Sequence, residues 1–366
     1  MLFKNLTLFR LHTDTAADLL RLSDVMPEHT LRDCGPLEMF TTGFVPPVSR
    51  DDDGDLTHES TSAIMIGYGR QDRMLPAIVV NDELRKLTKK IASEEDRKVG
   101  GRERKRLKDA LLTDLLPRAF IRNTRTLAYA DLAAGWLVID TGSRKAGEDV
   151  VTAMREALGS FPAMPLAPEE SPRVLMTDWL ANGLPDGFAL GDECELRDPA
   201  TADGAVARCS KQDLDAEEVG EHLRNGKQVY KLGLVFDDRI SFVLGADLVI
   251  RKLKFQDIVL DEIGDHEDVQ REAAATFLLM TAEIDRLLVK LSALFGLGVD
   301  APLHLHGQAA PVGMRKVAHE LKKMHESMAR EGVSMTITTP GNDPVTLGAQ
   351  THTSLGDKHT AGSFAQ

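Results

Sequence analysis

Residues 84–120 read LRKLTKKIASEEDRKVGGRERKRLKDALLTDLLPRAF. Leu84, Leu87 and Ile91 recur at helical spacing with lysines and arginines on the other faces, and Asn81 stands where it can cap such a helix. The Gly100-Gly101 pair breaks the pattern. It resumes from about Arg102 through Leu107, Leu111, Leu112 and Leu115 and stops at Pro117. The stretch predicts a basic helical hairpin. Its surroundings read as strand: residues 3–11, 63–69 and 74–80 before it, residues 126–131 and 135–140 after it around a tight turn at 132–134. Residues 43–54, with Pro46, Pro47 and three consecutive aspartates, read as loop. A helix over Arg144–Leu158 closes the unit, so the fold class expected is α+β with the hairpin set between strands.

Residues 161–172 hold Pro162, Pro165, Pro168 and Pro172, which keep the chain extended and mark the best linker and domain boundary. Beyond it the pattern predicts a short helix near 176–181, strands around 187–196 and 204–209, and a helix over 215–224 capped by Asp213. Residues 227–236 and 239–245 alternate apolar and polar, and Asp237-Asp238 suit a two-residue turn between them. A strand over 248–255 and a long helix from about 267 to 295 complete this part. The texture then changes. Residues 314–330 have helical periodicity through Val317, Leu321 and Met324, residues 333–338 have strand character, and residues 349–366 mix Thr, Ser, Gly and His without apolar periodicity, as a disordered tail does.

A chain of 366 residues, 42% of them hydrophobic, can bury a sizeable core and divide into two or three domains. Apolar runs such as 273–280 and 136–139 fall far short of the roughly 20 residues that span a bilayer, so no membrane partner is expected. The start alternates charged and apolar residues, which predicts no secretory signal. Cys34, Cys194 and Cys209 are odd in number and lack metal-ligand spacing, which fits a reducing cytoplasm and predicts neither a disulfide framework nor a zinc site. The net charge of −13 argues against a nucleic-acid ligand until its distribution is considered. Residues 84–108 carry eleven basic side chains against four acids, a local +7 that leaves −20 on the rest. One surface can then attract a polyanion while the remainder repels it.

Catalytic chemistry finds little footing. Asp261, Glu262, Asp265, Glu267 and Asp268 are the one dense acid cluster that could hold Mg²⁺, but they precede a helix, whose dipole acids stabilise. His304 and His306 lie in a Gly- and Pro-rich connector without a third ligand nearby. No phosphate-binding GxxxxGK[ST] loop or GxSxG elbow occurs, and Gly67-Tyr68-Gly69 is too short for a dinucleotide fingerprint. No cofactor, metal or catalytic residue is expected. A second basic feature, Arg251, Lys252 and Lys254, falls within a strand, where Lys252 and Lys254 share one face and Arg251 shares the other with Leu253. Aromatic residues are only 5% of the chain, too few for a base-stacking platform, so any binding should be to phosphates.

Seven blocks then carry a resemblance: MLFKNLTLFRL at the start, GFVPP from Gly43, LTH from Leu56, LKDALLTDLLPRAF from Leu107, LGSFPAMPL from Leu158, KQDLDAEEV from Lys211 and RKLKF from Arg251. In this order, over about residues 1–297, the chain resembles the recombination-associated RdgC family of proteobacteria. The acidic run at 51–55 and the glycine pair at 100–101 depart from the family pattern, and residues 298–366 have no counterpart in its shorter members. The resemblance implies a horseshoe-shaped protomer. Residues 1–75 and 120–166 would be a central α+β domain, 76–119 a basic helical tip, 167–297 an α+β base domain, 298–348 an extension and 349–366 the tail. Two protomers would close a ring with a basic inner wall, encircling double-stranded DNA, with single-stranded DNA as a second ligand, and restraining RecA without any catalytic step. A nucleoid-associated cytoplasmic protein is implied. The basic positions nominated for DNA are Lys86, Lys89, Lys90, Arg97, Lys98, Arg102, Arg104, Lys105, Arg118, Arg122, Lys227, Arg251, Lys252 and Lys254, with Lys211 and Gln212 from the KQDL block. Phe120, just after the helix-ending Pro117, is implied as an apolar contact across the homodimer interface. The competing reading is a factor that acts directly on the recombinase and touches DNA incidentally.

Overall fold

The computed structural model describes residues 2–12, 15–19, 21–49, 54–60, 62–200, 204–264, 268–297, 336–337 and 345–346. Met1–His306 forms one compact unit and Gly307–Gln366 a second. The first unit opens with β1 (Thr7–Leu11), α1 (Thr15–Leu19), α2 (Leu22–Val25), β2 (Phe40–Val45), β3 (Thr57–Glu59) and β4 (Ala63–Met74). The hairpin comes next as α3 (Ala77–Glu94) and α4 (Gly101–Leu115), then β5 (Phe120–Asp131), β6 (Trp136–Ile139), α5 (Arg144–Leu158) and β7 (Ala163–Pro165). These strands make an antiparallel sheet in the order β2-β4-β5-β6-β1-β7, with β3 also on β4.

Both faces of this sheet are covered, which explains why its strands read as continuous apolar runs. Ile64, Ile66, Ala128, Ala130, Leu137 and Ile139 point into one cluster with Leu19, Leu22 and Met26 and with Val150, Val151 and Met154 of α5. Met65, Tyr129, Trp136 and Val138, one residue out of step, point into the other. That second cluster continues into the remaining half of the unit: α6 (Pro172–Asn182), β8 (Phe188–Arg197), β9 (Val206–Ser210), α7 (Glu217–Arg224), β10 (Gln228–Phe236), β11 (Ile240–Gly245), β12 (Ile250–Phe255), α8 (Asp257–Leu260) and α9 (Val269–Phe295). The second sheet runs β12-β11-β10-β8-β9 and is antiparallel throughout. Phe277 of α9 meets Tyr129 edge-on at 5.8 Å, and Phe295 lies 5.4 Å from Trp179, so α9 packs residues of both halves. Leu6 exchanges backbone hydrogen bonds with Ile250 (2.8 and 3.0 Å), which stitches the N-terminal segment to β12. The α+β class stands.

Several elements differ from expectation. Residues 74–80 are not a strand: β4 ends at Met74, Pro76 precedes α3, and Asn81 lies inside that helix instead of capping it. Residues 43–45 are not loop but the end of β2, because Gly43 and Gly67 let neighbouring backbone cross the sheet. A Cβ at Gly43 would sit 2.4 Å from Leu31 N, and one at Gly67 2.6 Å from Val45 O. Residues 161–172 are extended as their prolines require, but they are pinned: Phe161 is buried and β7 pairs with β1, while Pro172 starts α6. Asp213 accepts from the Asp215 amide and closes a turn; α7 begins later, after Ala216. Asp237 and Asp238 both take positive φ (49° and 55°), yet Phe236 pairs with Ile240, so Arg239 joins the turn. Residues 336–337 pair with 345–346 as β13 (Thr336–Ile337) and β14 (Val345–Thr346). The expected helix at 314–330, the tail at 349–366, and His304 and His306 lie outside the described residues.

Candidate nucleic-acid interface

β4 and β5 pair over their whole lengths, from Ala63 with Asp131 to Met74 with Phe120, and the two helices are inserted at the far end of this ribbon. Arg73 fastens the junction: its guanidinium donates to Gly35 O, Cys34 O and Leu116 O at 3.0–3.2 Å. Val80, Leu84 and Leu116 are buried in the hairpin, whereas α4 buries no residue. The hairpin is therefore a thin, cation-covered projection.

The nominated cations differ in how far they are committed. Lys86 pairs with Glu83 at 2.6 Å and Lys90 with Glu94 at 3.8 Å, while Arg97 is clamped by both carboxylate oxygens of Glu103 (2.6 and 2.7 Å) and by Glu95. Those hydrogen bonds push the Arg97 guanidinium pKa up and pull the Glu103 carboxyl down. Arg118 and Arg122 sit at 3.9 and 3.7 Å from Asp114 and Asp72. Among the described residues no ion pair engages Lys89, Lys98, Arg102, Arg104, Lys105, Arg106 or Lys108, and all seven are exposed.

The nominated residues of the other half are separate from this set. Arg251 holds Asp247 at 2.7 Å and Lys252 pairs with Glu193. Lys252 has φ 53°, a break in strand alternation, so Leu253 is buried with Ile250 and does not share a face with Arg251 as expected. Lys254 is exposed. Lys211 takes φ 55° at the end of β9, and Gln212 donates to Glu218 (2.8 Å). Lys227 Nζ lies 3.0 Å from His222 Nδ1.

Sequence reading missed a second cationic group on the outer face of the second sheet. Glu195, only 5% exposed, accepts hydrogen bonds from Arg197 (2.7 Å), Arg208 (3.1 Å) and Lys231 (3.1 Å). Burial pushes its carboxyl up, but the three cations outweigh that and hold it down at about 2. Tyr230 lies between two guanidiniums, with Arg173 donating to its hydroxyl (2.8 Å) and Arg197 4.8 Å from the ring centre. Three cations thus gather around one carboxylate, and a fourth, Arg173, joins them through Tyr230. They are spread over α6, β8, β9 and β10, so no sequence window could collect them.

Phe120 opens β5 and is 86% exposed, which excludes an ordinary core position within the protomer. Met74 opposite it, Ile121, Ile78 and Val79 are exposed as well. The acid cluster is divided: Glu262 pairs with Arg239 (2.9 Å), Asp268 caps α9 through the Gln270 amide (3.0 Å), and Asp265 and Glu267 lie outside the described residues. Among the described residues no group of three or more His, Cys, Asp or Glu is arranged to hold a metal, and no helix is long and apolar enough to cross a membrane.

A family profile described as "Putative exonuclease, RdgC" matches residues 1–298. The chain is 47% identical over 294 residues to a recombination-associated protein RdgC of Xanthomonas oryzae pv. oryzae (strain MAFF 311018), covering 80% of this chain and 97% of that one. Proteins of the same name from Xanthomonas campestris pv. campestris (strain B100) and Xylella fastidiosa (strain M12) are 46% and 47% identical, again over 294 residues, covering 80% of this chain and 96% of each relative.

Proposed function

The chain belongs to the RdgC family, and on that footing we propose that it is a sequence-independent DNA-binding protein of recombination, acting as a homodimer without a catalytic step. The observation that carries this reading is the exposed, unpaired cation set of the hairpin on an otherwise acidic chain. Lysine and arginine held on a projecting element meet phosphate oxygens and read no base edges, so affinity should be nearly independent of sequence. The exposed apolar group around Phe120 fits a second copy of the chain. In this reading residues 1–75 and 120–166 form the centre of a horseshoe, 76–119 its tip and 167–297 its base. Two such protomers close a ring around duplex DNA in the nucleoid. Occupied DNA is then withheld from RecA filaments and strand exchange.

Band-shift titration of two unrelated duplexes of equal length tests this: equal affinities are expected, and a large preference for one overturns it. If the protein instead acts on the recombinase directly, inhibition of strand exchange will persist at salt concentrations that remove it from DNA. The family's description as an exonuclease is tested by incubating end-labelled DNA with the protein and Mg²⁺ or Mn²⁺. No release of label is expected.

A further inference from the structure

We propose that Cys194 and Cys209 form a reversible intramolecular disulfide, an oxidative modification site on the β8–β9 ladder. The two residues are direct partners in the antiparallel register, so their side chains leave the same face of the sheet. The Asp198 amide donates to Ala205 O (3.1 Å), and alternation along the ladder puts Cys194–Cys209 on a hydrogen-bonded rung. Cα atoms on such a rung stand about 5.5 Å apart, inside the roughly 4.4–6.8 Å that a disulfide spans. Cβ atoms on such a rung stand about 5.5 Å apart, so the edge strand β9 must close on β8 by about 1 Å to reach the Cβ spacing of a disulfide.

The two thiols are unequal. Cys194 is 4% exposed and packs with Leu196 and Val229, and burial together with the neighbouring Cys209 raises its thiol well above the ordinary range. Cys209 is half-buried on β9, the edge of the sheet, and is the one a small oxidant reaches. With a peroxide as oxidant, Cys209 takes one oxygen to become the sulfenic acid and releases water. Sulfur of Cys194 then attacks that sulfur, the S–O bond breaks, and its thiol proton leaves with the hydroxyl as a second water. The net change is two thiols and one H₂O₂ to one disulfide and two H₂O. Cys34 is buried in the segment that precedes β2, its Sγ 3.3 Å from Glu38 O, and serves as an internal control.

The test is thiol mapping of the full chain before and after hydrogen peroxide. Two of the three cysteines should become refractory to alkylation, and digestion should give one peptide pair joined through Cys194 and Cys209, released by dithiothreitol. Dimedone present during oxidation should label Cys209 in the Cys194→Ala variant, and Cys194 should stay unlabelled in Cys209→Ser. The oxidised protein should melt higher than the reduced one, because the bond closes the loop over residues 195–208 in the unfolded chain. Three alkylatable thiols after peroxide, or a bond through Cys34 or between chains, would overturn the proposal. The wild-type map reads out even if a variant folds poorly.

Discussion

Phe120 is a large apolar side chain held in solvent at the mouth of the hairpin. An exposed ring contributes little to protomer stability, so Phe120→Ser should leave the melting temperature nearly unchanged, as surface substitutions typically shift stability by less than about 0.5 kcal/mol. Self-association is where the loss should appear. Sedimentation of mutant and wild type over a concentration series should show a weaker dimer, and a mutant that melts far lower would return Phe120 to the core. His58 makes a second prediction. Its Nε2 is buried without a partner, its ring lies 5.6 Å from Phe277, and burial lowers its pKa below 6.5. The unfolded chain therefore binds a proton that the folded one resists, so stability is full above about pH 6.5 and falls as the pH drops below it. Denaturant midpoints at pH 7.5 and 5.5 should differ more in wild type than in His58→Gln; equal differences would show that His58 is not the group responsible.

At the scale of elements, the hairpin divides its cations into two classes. Lys86, Lys90 and Arg97 already have carboxylate partners, whereas Lys89, Lys98, Arg102, Arg104 and Lys105 have none among the described residues. Replacing those five with glutamine should weaken duplex binding by orders of magnitude without altering the melt, since α4 buries no side chain. Replacing the paired three should cost less. A five-fold variant that binds as tightly as wild type would place the DNA elsewhere, with the cations around Glu195 as the next place to look. Much of this was legible in the chain because it rests on local pattern: α5 begins and ends where periodicity put it, and the hairpin helices track their leucines. The β-branched run Ile78-Val79-Val80 misled because its strand propensity is local, while Pro76 and the burial of Val80 and Leu84 on one helical face decide the outcome. β2 was hidden by Gly43, whose lack of a side chain matters only once residues 30–31 lie across it. The Glu195 cluster was invisible for the same reason: only the ladder of β8, β9 and β10 gathers it.

For the whole molecule, the family match ends at residue 298, and the described core ends with Leu297 buried against the packing of α9. Removing residues 298–366 should leave folding, self-association and DNA binding in place; a truncated chain that is monomeric or unfolded would show that the second unit belongs to the core. The charge layout sets the remaining expectation. A chain of net −13 should be repelled by DNA unless its hairpin outweighs the rest at close range, and that balance depends on counterions. Each phosphate neutralised contributes about −0.9 to the slope of log affinity against log salt on B-DNA. The decisive measurement is filter binding of one duplex by the wild-type protein across a range of salt concentrations. Binding through the unpaired hairpin cations predicts a straight line with a slope of about −4 or steeper; a slope near zero would contradict it.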